Sequence, residues 1–148
     1  PESLAADELE AYRYRLWMAS GHVLAERDKL DLAMISEFPQ IALSIDEIEE
    51  PVDHLWRSSG LRPHIAFRSR SVEAVRSLVA SGVGVAILPD LVFRPWSLDG
   101  LRLEARQISA TMPTVKAALV RRRGTHDNLN ARRFIEVTLS HNAGRLMP

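Results

Sequence analysis

The 148-residue sequence contains no cysteine. That excludes a disulfide framework, a thiolate metal site and a cysteine nucleophile. It holds no apolar run near the ~18 residues that a membrane-spanning helix needs. It has no charge of either sign to spare: 19 acidic residues face 19 basic ones. There is therefore no global pull toward nucleic acid. Lysine is nearly absent. Lys29 and Lys116 are the only two, so 17 of the 19 basic residues are arginine. The chain opens Pro1-Glu2-Ser3, with neither an initiator methionine nor the pattern of a signal peptide. It is read as a piece cut from a longer protein, with a cytoplasmic home.

Hydrophobic residues make up 46% and charged residues 26%, the proportions of a folded domain rather than a disordered one. Residues 1–11 carry Asp7, Glu8 and Glu10 and read as a helical turn or an exposed tail. Tyr12–Ala19 alternates basic with apolar residues and predicts a strand. Leu30–Phe38 predicts a short amphipathic helix ended by Pro39, and Gln40–Ser44 a short buried strand. Residues 45–60 have helical period, but Pro51 interrupts them. A proline fits the first helical turn and disrupts an interior, so the regular helix is expected to begin near Pro51 and to stop at Gly60.

His64–Arg68 reads as a strand. Ser71 then caps a helix whose stripe is Val72, Val75, Leu78 and Val79. Gly82 closes that helix, and Val83–Leu88 is apolar enough to be a strand covered on both faces. Leu101–Ile108 reads as an edge strand and Thr114–Arg121 as another. A polar loop over 122–128 precedes a terminal helix with Leu129, Phe134, Val137 and Ile135 turned inward. Strands that alternate with helices at this spacing imply an α/β layer structure with a mixed sheet.

Little in the residues suggests catalysis. No G-x-S-x-G elbow occurs, and Ser20, Ser59 and Ser81 each precede a turn or helix stop. None of the five histidines has a partner three or four residues away, so metal-site spacings fail. The acids Asp46, Glu47, Glu49 and Glu50 sit where they favour the positive end of a helix. Gly82-Val83-Gly84 precedes a strand, whereas a dinucleotide-binding loop follows one. Arg121-Arg122-Arg123 lacks interleaved aromatics and reads as a solvated strand end.

The candidate site is positional. Ligands of open α/β sheets bind at the carboxyl ends of strands, against helix N-termini. One such junction offers Ser44, Ile45 and Asp46. The other offers Arg68, Ser69, Arg70 and Ser71, combining hydroxyls with two guanidinium groups. That set suits a small anion, because arginine binds a carboxylate through two parallel hydrogen bonds. Capping by Ser71 and solvated arginines is the competing account. A hydrolase built from Ser44, Asp46 and a histidine is a more remote one.

Gly21-His22-Val23-Leu24-Ala25 is similar to the "GHPLA" segment of LysR-type transcriptional regulators, with valine in place of the usual proline. Leu30-Asp31-Leu32-Ala33, Phe38-Pro39-Gln40-Ile41 and Gly60-Leu61-Arg62-Pro63 follow in that family's order. Ser71–Pro89 resembles its run "SxEAVxxLVAxGxGVAxLP". Leu119–Arg122 and Ala131…Phe134-Ile135 resemble its C-terminal end.

This resemblance implies the effector-binding domain, an α/β type II periplasmic-binding-protein-like fold of two subdomains joined by crossing strands. Residues 1–13 would end the first subdomain. Residues 14–121 would hold the crossover strands (14–20 and 114–121) and the second, effector-binding subdomain. Residues 122–148 would return as the C-terminal helix to the first subdomain. Family ligand contacts map near Ser44–Asp46 and Arg68–Ser71. The helix and strand over 51–60 and 64–68 would pair domains into a homodimer or homotetramer; Leu55 and Trp56 could contribute there, with core burial the simpler account of both. Pro51 and Arg70 depart from the family pattern. The expected partners are a small, anionic effector and, through a helix-turn-helix domain absent from this chain, DNA. No membrane, cofactor, metal or catalytic residue is expected. An extracytoplasmic solute-binding protein of the same fold is the alternative.

Overall fold

The computed structural model describes residues 3–123 and 129–143. Most of the polar loop expected over 122–128, including His126, lies outside the described residues, as do residues 144–148. The elements are β1 (Leu4–Ala19), α1 (Leu32–Ser36), β2 (Gln40–Leu43), α2 (Asp46–Ser59), β3 (Ile65–Ser69), α3 (Val72–Ala80), β4 (Ala86–Pro89), β5 (Leu103–Arg106), β6 (Thr114–Arg122) and α4 (Leu129–Ala143). The chain forms two compact units. Pro1–Tyr12 with Lys116–Pro148 make unit one, and Arg13–Val115 make unit two.

Unit two is organised by the inner half of β1. Tyr14, Leu16, Trp17 and Met18 are all buried, and Trp17 meets Phe93 edge to face at 5.3 Å between ring centroids. On one side β1 pairs antiparallel with β4, Leu16 opposite Ile87; on the other it pairs antiparallel with β5, Leu16 opposite Arg106. Residues 86–89 are buried throughout, as an apolar run demands. The strand is shorter than expected, because Val83 stays exposed in the turn that follows α3.

β2 and β3 form a separate parallel pair, with Leu43 opposite Ser69. One parallel bridge, Gln40 to Val85, ties β2 toward β4: Ile41 N donates to Val85 O at 2.8 Å and Val85 N to Pro39 O at 2.9 Å. This approach needs glycine at 84. A Cβ there would stand 2.5 Å from Pro39 O. Gln40 is buried, and its side-chain amide donates to Ile35 O in α1 and to Phe38 O in the segment that follows.

Several expectations change. Residues from Leu4 onward are a strand, not a helical turn or tail. Their acids face partners distant in sequence: Lys116 donates to Glu8 at 2.7 Å and Arg121 to Asp7 at 3.4 Å across the β1–β6 pair of unit one. α2 begins at Asp46, not at Pro51. The proline lies inside the helix, which is held by burial of Ile48, Leu55 and Trp56 and by three acids in its first turn. Gly60 ends it at φ 71°, the left-handed stop expected. In α4 the expected inward residues Leu129, Phe134 and Val137 are 67%, 62% and 66% exposed. Ile135, also expected inward, is half-buried, as are Ala131 and Thr138. The helical period located an apolar stripe, but among the described residues Leu129, Phe134 and Val137 stay uncovered.

His22 caps the short turn Val23–Glu26. Its Nδ1 accepts from Leu24 N at 3.1 Å, and its ring lies against Phe38. Burial holds its pKa below the ordinary histidine value. The folded chain therefore binds this proton less readily than the unfolded chain. The stabilisation is present at neutral pH and is lost as pH falls through about 6.5. Urea unfolding of the wild type should weaken between about pH 7.5 and about pH 5.5. His22→Asn, which keeps an acceptor but cannot titrate, should lose part of that dependence. Gly84→Ala should cost about 1–3 kcal/mol by the same assay, since a backbone oxygen must move to admit the methyl group.

Candidate functional site

The carboxyl ends of β2 and β3 are side by side because the strands are parallel and in register at Leu43 and Ser69. Each runs directly into a helix. Ser44 N donates to Ser69 O at 2.8 Å, carrying the ladder one residue past β2. The two junctions predicted from the sequence are thus adjacent in space, about one strand spacing apart.

Their side chains are differently engaged. Ser71 caps α3: its hydroxyl accepts from Ala74 N at 3.2 Å, and its own amide donates to Ser69 Oγ at 3.1 Å. Arg68 is half-exposed and forms an ion pair with Glu49. The same carboxylate oxygen accepts from Ser44 Oγ at 3.4 Å. Glu49 therefore links both junctions. In the sequence it is one member of an acidic cluster. The expectation that residues 45–50 form a turn concealed it, whereas a helix starting at Asp46 fixes Glu49 on the first turn.

Asp46 and Arg70 are exposed and make no side-chain hydrogen bond or ion pair among the described residues. The electrostatics of the two ends differ accordingly. The α2 end carries Asp46, Glu47 and Glu49, and the α3 end carries Arg68 and Arg70, its first-turn acid Glu73 being paired with Arg76. A sizeable hollow in unit two, of about 440 Å³, lies elsewhere, beside the start of the unit's first strand. Among the described residues no group of three or more His, Asp or Glu could hold a metal ion. No described helix is long and apolar enough to cross a membrane.

The family model for the LysR substrate binding domain matches residues 1–143. The chain belongs to that family. The family is the effector-binding domain of transcriptional regulators and is not a family of enzymes. The HTH-type transcriptional regulator CysB of Burkholderia cenocepacia is 29% identical over 85 residues, which is 55% of this chain and 26% of that protein. HinK, a LysR family transcriptional regulator from Pseudomonas aeruginosa, superposes with a TM-score of 0.85 at 22% identity. The match covers 96% of this chain and 49% of HinK. The regulatory domain of CcmR from Synechocystis PCC6803, solved in complex with 2-PG, superposes with a TM-score of 0.80 at 14% identity, covering 96% of this chain and 69% of CcmR. The likenesses establish the α/β, type II periplasmic-binding-protein-like fold. This LysR chain spans about half the length of HinK and a smaller part of CysB.

The cap has a measurable consequence. Ser71→Ala should lower stability by about 1 kcal/mol in urea unfolding, the usual cost of a lost N-cap. A change within about 0.3 kcal/mol would show that Ser71 is not needed to start α3.

Proposed function

We propose that this LysR domain is the effector-sensing part of a cytoplasmic DNA-binding regulator, and that a small anionic metabolite binds where β2 and β3 end. The single observation behind this reading is the juxtaposition of two strand-to-helix junctions of opposite charge. Arg70, with no partner among the described residues, would take the ligand's carboxylate. Asp46, equally free, would take a hydroxyl or ammonium group. Ser44 and Ser69 would orient the ligand, Arg68 would add positive potential after partial release from Glu49, and Ser71 would hold the N-terminus of α3 in place. CcmR, solved with 2-PG in its regulatory domain, supports a small-molecule role for this fold.

In this reading residues 14–121 form the second subdomain with its crossover strands. The remainder belongs to a first subdomain completed by chain outside this sequence. The exposed stripe of α4 (Leu129, Phe134, Val137) would seat against that missing part. The regulator would bind DNA through a separate helix-turn-helix domain and assemble as a homodimer or homotetramer. The effector would act by binding one arrangement of subdomains better than another and so shifting its population.

The test is a thermal-shift and calorimetric screen of small carboxylates against the full-length regulator. Arg70→Ala should weaken the best hit about tenfold or more, the range for a lost charge-assisted hydrogen bond. Unchanged affinity would remove Arg70 from the site. The present chain alone should give no sequence-specific mobility shift with DNA at physiological salt.

A further inference from the structure

The geometry points to a second ligand site in unit two, separate from the strand tips: a pocket for a small monocarboxylate with an apolar body, in which Arg13 receives the carboxylate. The hollow of about 440 Å³ is lined by residues of unit two alone, among them Arg13, Gln107, Ile108, Met112 and Thr114. Its volume falls in the ~300–1,000 Å³ range of small-molecule sites. Its lining includes apolar surface: Ile108 and Tyr14 are buried, and Met112 is half-buried. The Tyr14 hydroxyl is already engaged, donating to Ile48 O at 3.2 Å.

The charges around the hollow decide what it takes. Arg15 and Asp90 form one wall and satisfy each other at 2.5 Å. Arg15 also donates to Ala105 O at 3.3 Å and lies 5.3 Å over the Phe93 ring. The Asp90 carboxylate is thereby neutralised and does not repel an anion. Arg13, Gln107 and Thr114 stand exposed at the rim, and their side chains make no hydrogen bond or ion pair among the described residues. One unengaged guanidinium, one amide and one hydroxyl thus line the same hollow as Ile108 and Met112. A neighbouring hollow of about 380 Å³ shares Arg15 and Gln107 and adds Lys29 and Arg106 against a single acid, Asp28, so the surrounding potential is positive. A guanidinium can grip a carboxylate with two parallel hydrogen bonds. Ile108 and Met112 would cover a short branched chain.

The pocket is independent of the proposed effector site, and one experiment separates the two. The ¹⁵N-labelled chain is titrated with sodium 4-methylpentanoate, with 4-methylpentanamide as the uncharged control at matched salt. Saturable shifts of the Gln107, Ile108, Met112 and Thr114 amides, absent with the amide control, are expected. Arg13→Gln and Gln107→Glu should each weaken binding about tenfold or more. Both positions are exposed, and an unchanged wild-type-like spectrum verifies that each variant folds. The site is overturned by the absence of saturable shifts over residues 107–114, by equal shifts with the uncharged amide, or by undiminished affinity in Arg13→Gln. Shifts confined to Ser44–Ser71 would overturn it while supporting the tips of β2 and β3 as the binding place.

Discussion

The arrangement of unit two depends on one close backbone approach. Gly84 comes so near Pro39 that a single methyl group would meet its carbonyl oxygen at 2.5 Å. That proximity lets Ile41 N donate to Val85 O and Val85 N donate to Pro39 O across the gap between β2 and the approach to β4. Without it, the parallel pair β2–β3 would have no backbone link to the strands built on β1, and two strands alone are marginal in water. With it, β2, β3 and β4 run in a common sense, so their carboxyl ends emerge on one side. The candidate effector site depends on that shared direction, because side chains and helix N-termini gather where the strands stop. Gln40 strengthens the same junction from within: its buried side-chain amide donates to Ile35 O and Phe38 O, tying the segment after α1 to the start of β2.

Charge is distributed with similar economy, and the arginines divide into engaged and unengaged groups. Arg76 is almost wholly buried, paired with Glu73 and donating to Val92 O at 2.8 Å, which fastens the segment after β4 to α3. Glu73 is held below the ordinary carboxylate pKa chiefly by its hydrogen bond from Arg76. Arg15 is matched by Asp90, and Arg106 is occupied by two backbone carbonyls. These arginines hold the unit together. Arg13 and Arg70 are different, since neither has a side-chain partner among the described residues. In a chain with no surplus of positive charge, unpaired guanidinium groups beside a hollow or a helix start are the natural places for an anion.

Much of this was legible in the residues. The Ser71 cap, the Gly60 stop, the buried run leading to Leu88 and the alternation after Tyr12 each carry a local signal, and local signals survive folding. The failures share a cause in distance. The first residues of β1 look like an acidic tail until Lys116 and Arg121 arrive from more than a hundred residues away. The α4 stripe was found by its period, but period cannot say whether a partner is present, and the stripe stands exposed. The pocket beside Arg13 was invisible for the same reason. Its walls come from the inner half of β1, the residue after β4 and the segment leading into β6, and no motif joins them.

Pro51 shows how a single local rule can mislead, with a direct effect on the site. A proline inside a helix removes one amide donor, so the carbonyl four residues earlier, that of Glu47, loses its helical partner. The cost falls at the sixth residue of α2, where the helix already has compensation. Upstream, the acids of the first turn favour the positive end, and Ile48 is buried; downstream, Leu55 and Trp56 are buried. The burial of three large apolar groups outweighs one missing hydrogen bond, worth roughly 0.5–1.5 kcal/mol net. Had the proline rule won, residues 45–50 would be a turn, and Glu49 would have no fixed position. Because it lost, Glu49 stands at a set place on the helix, meets Arg68 from the adjacent strand, and accepts from Ser44 as well. The coupling between the two junctions is thus a consequence of the apolar packing that fixes α2, with Glu49 two turns from the buried Trp56 on the same side of the helix. A ligand drawing Arg68 away would have to compete with a carboxylate that the core itself holds in position.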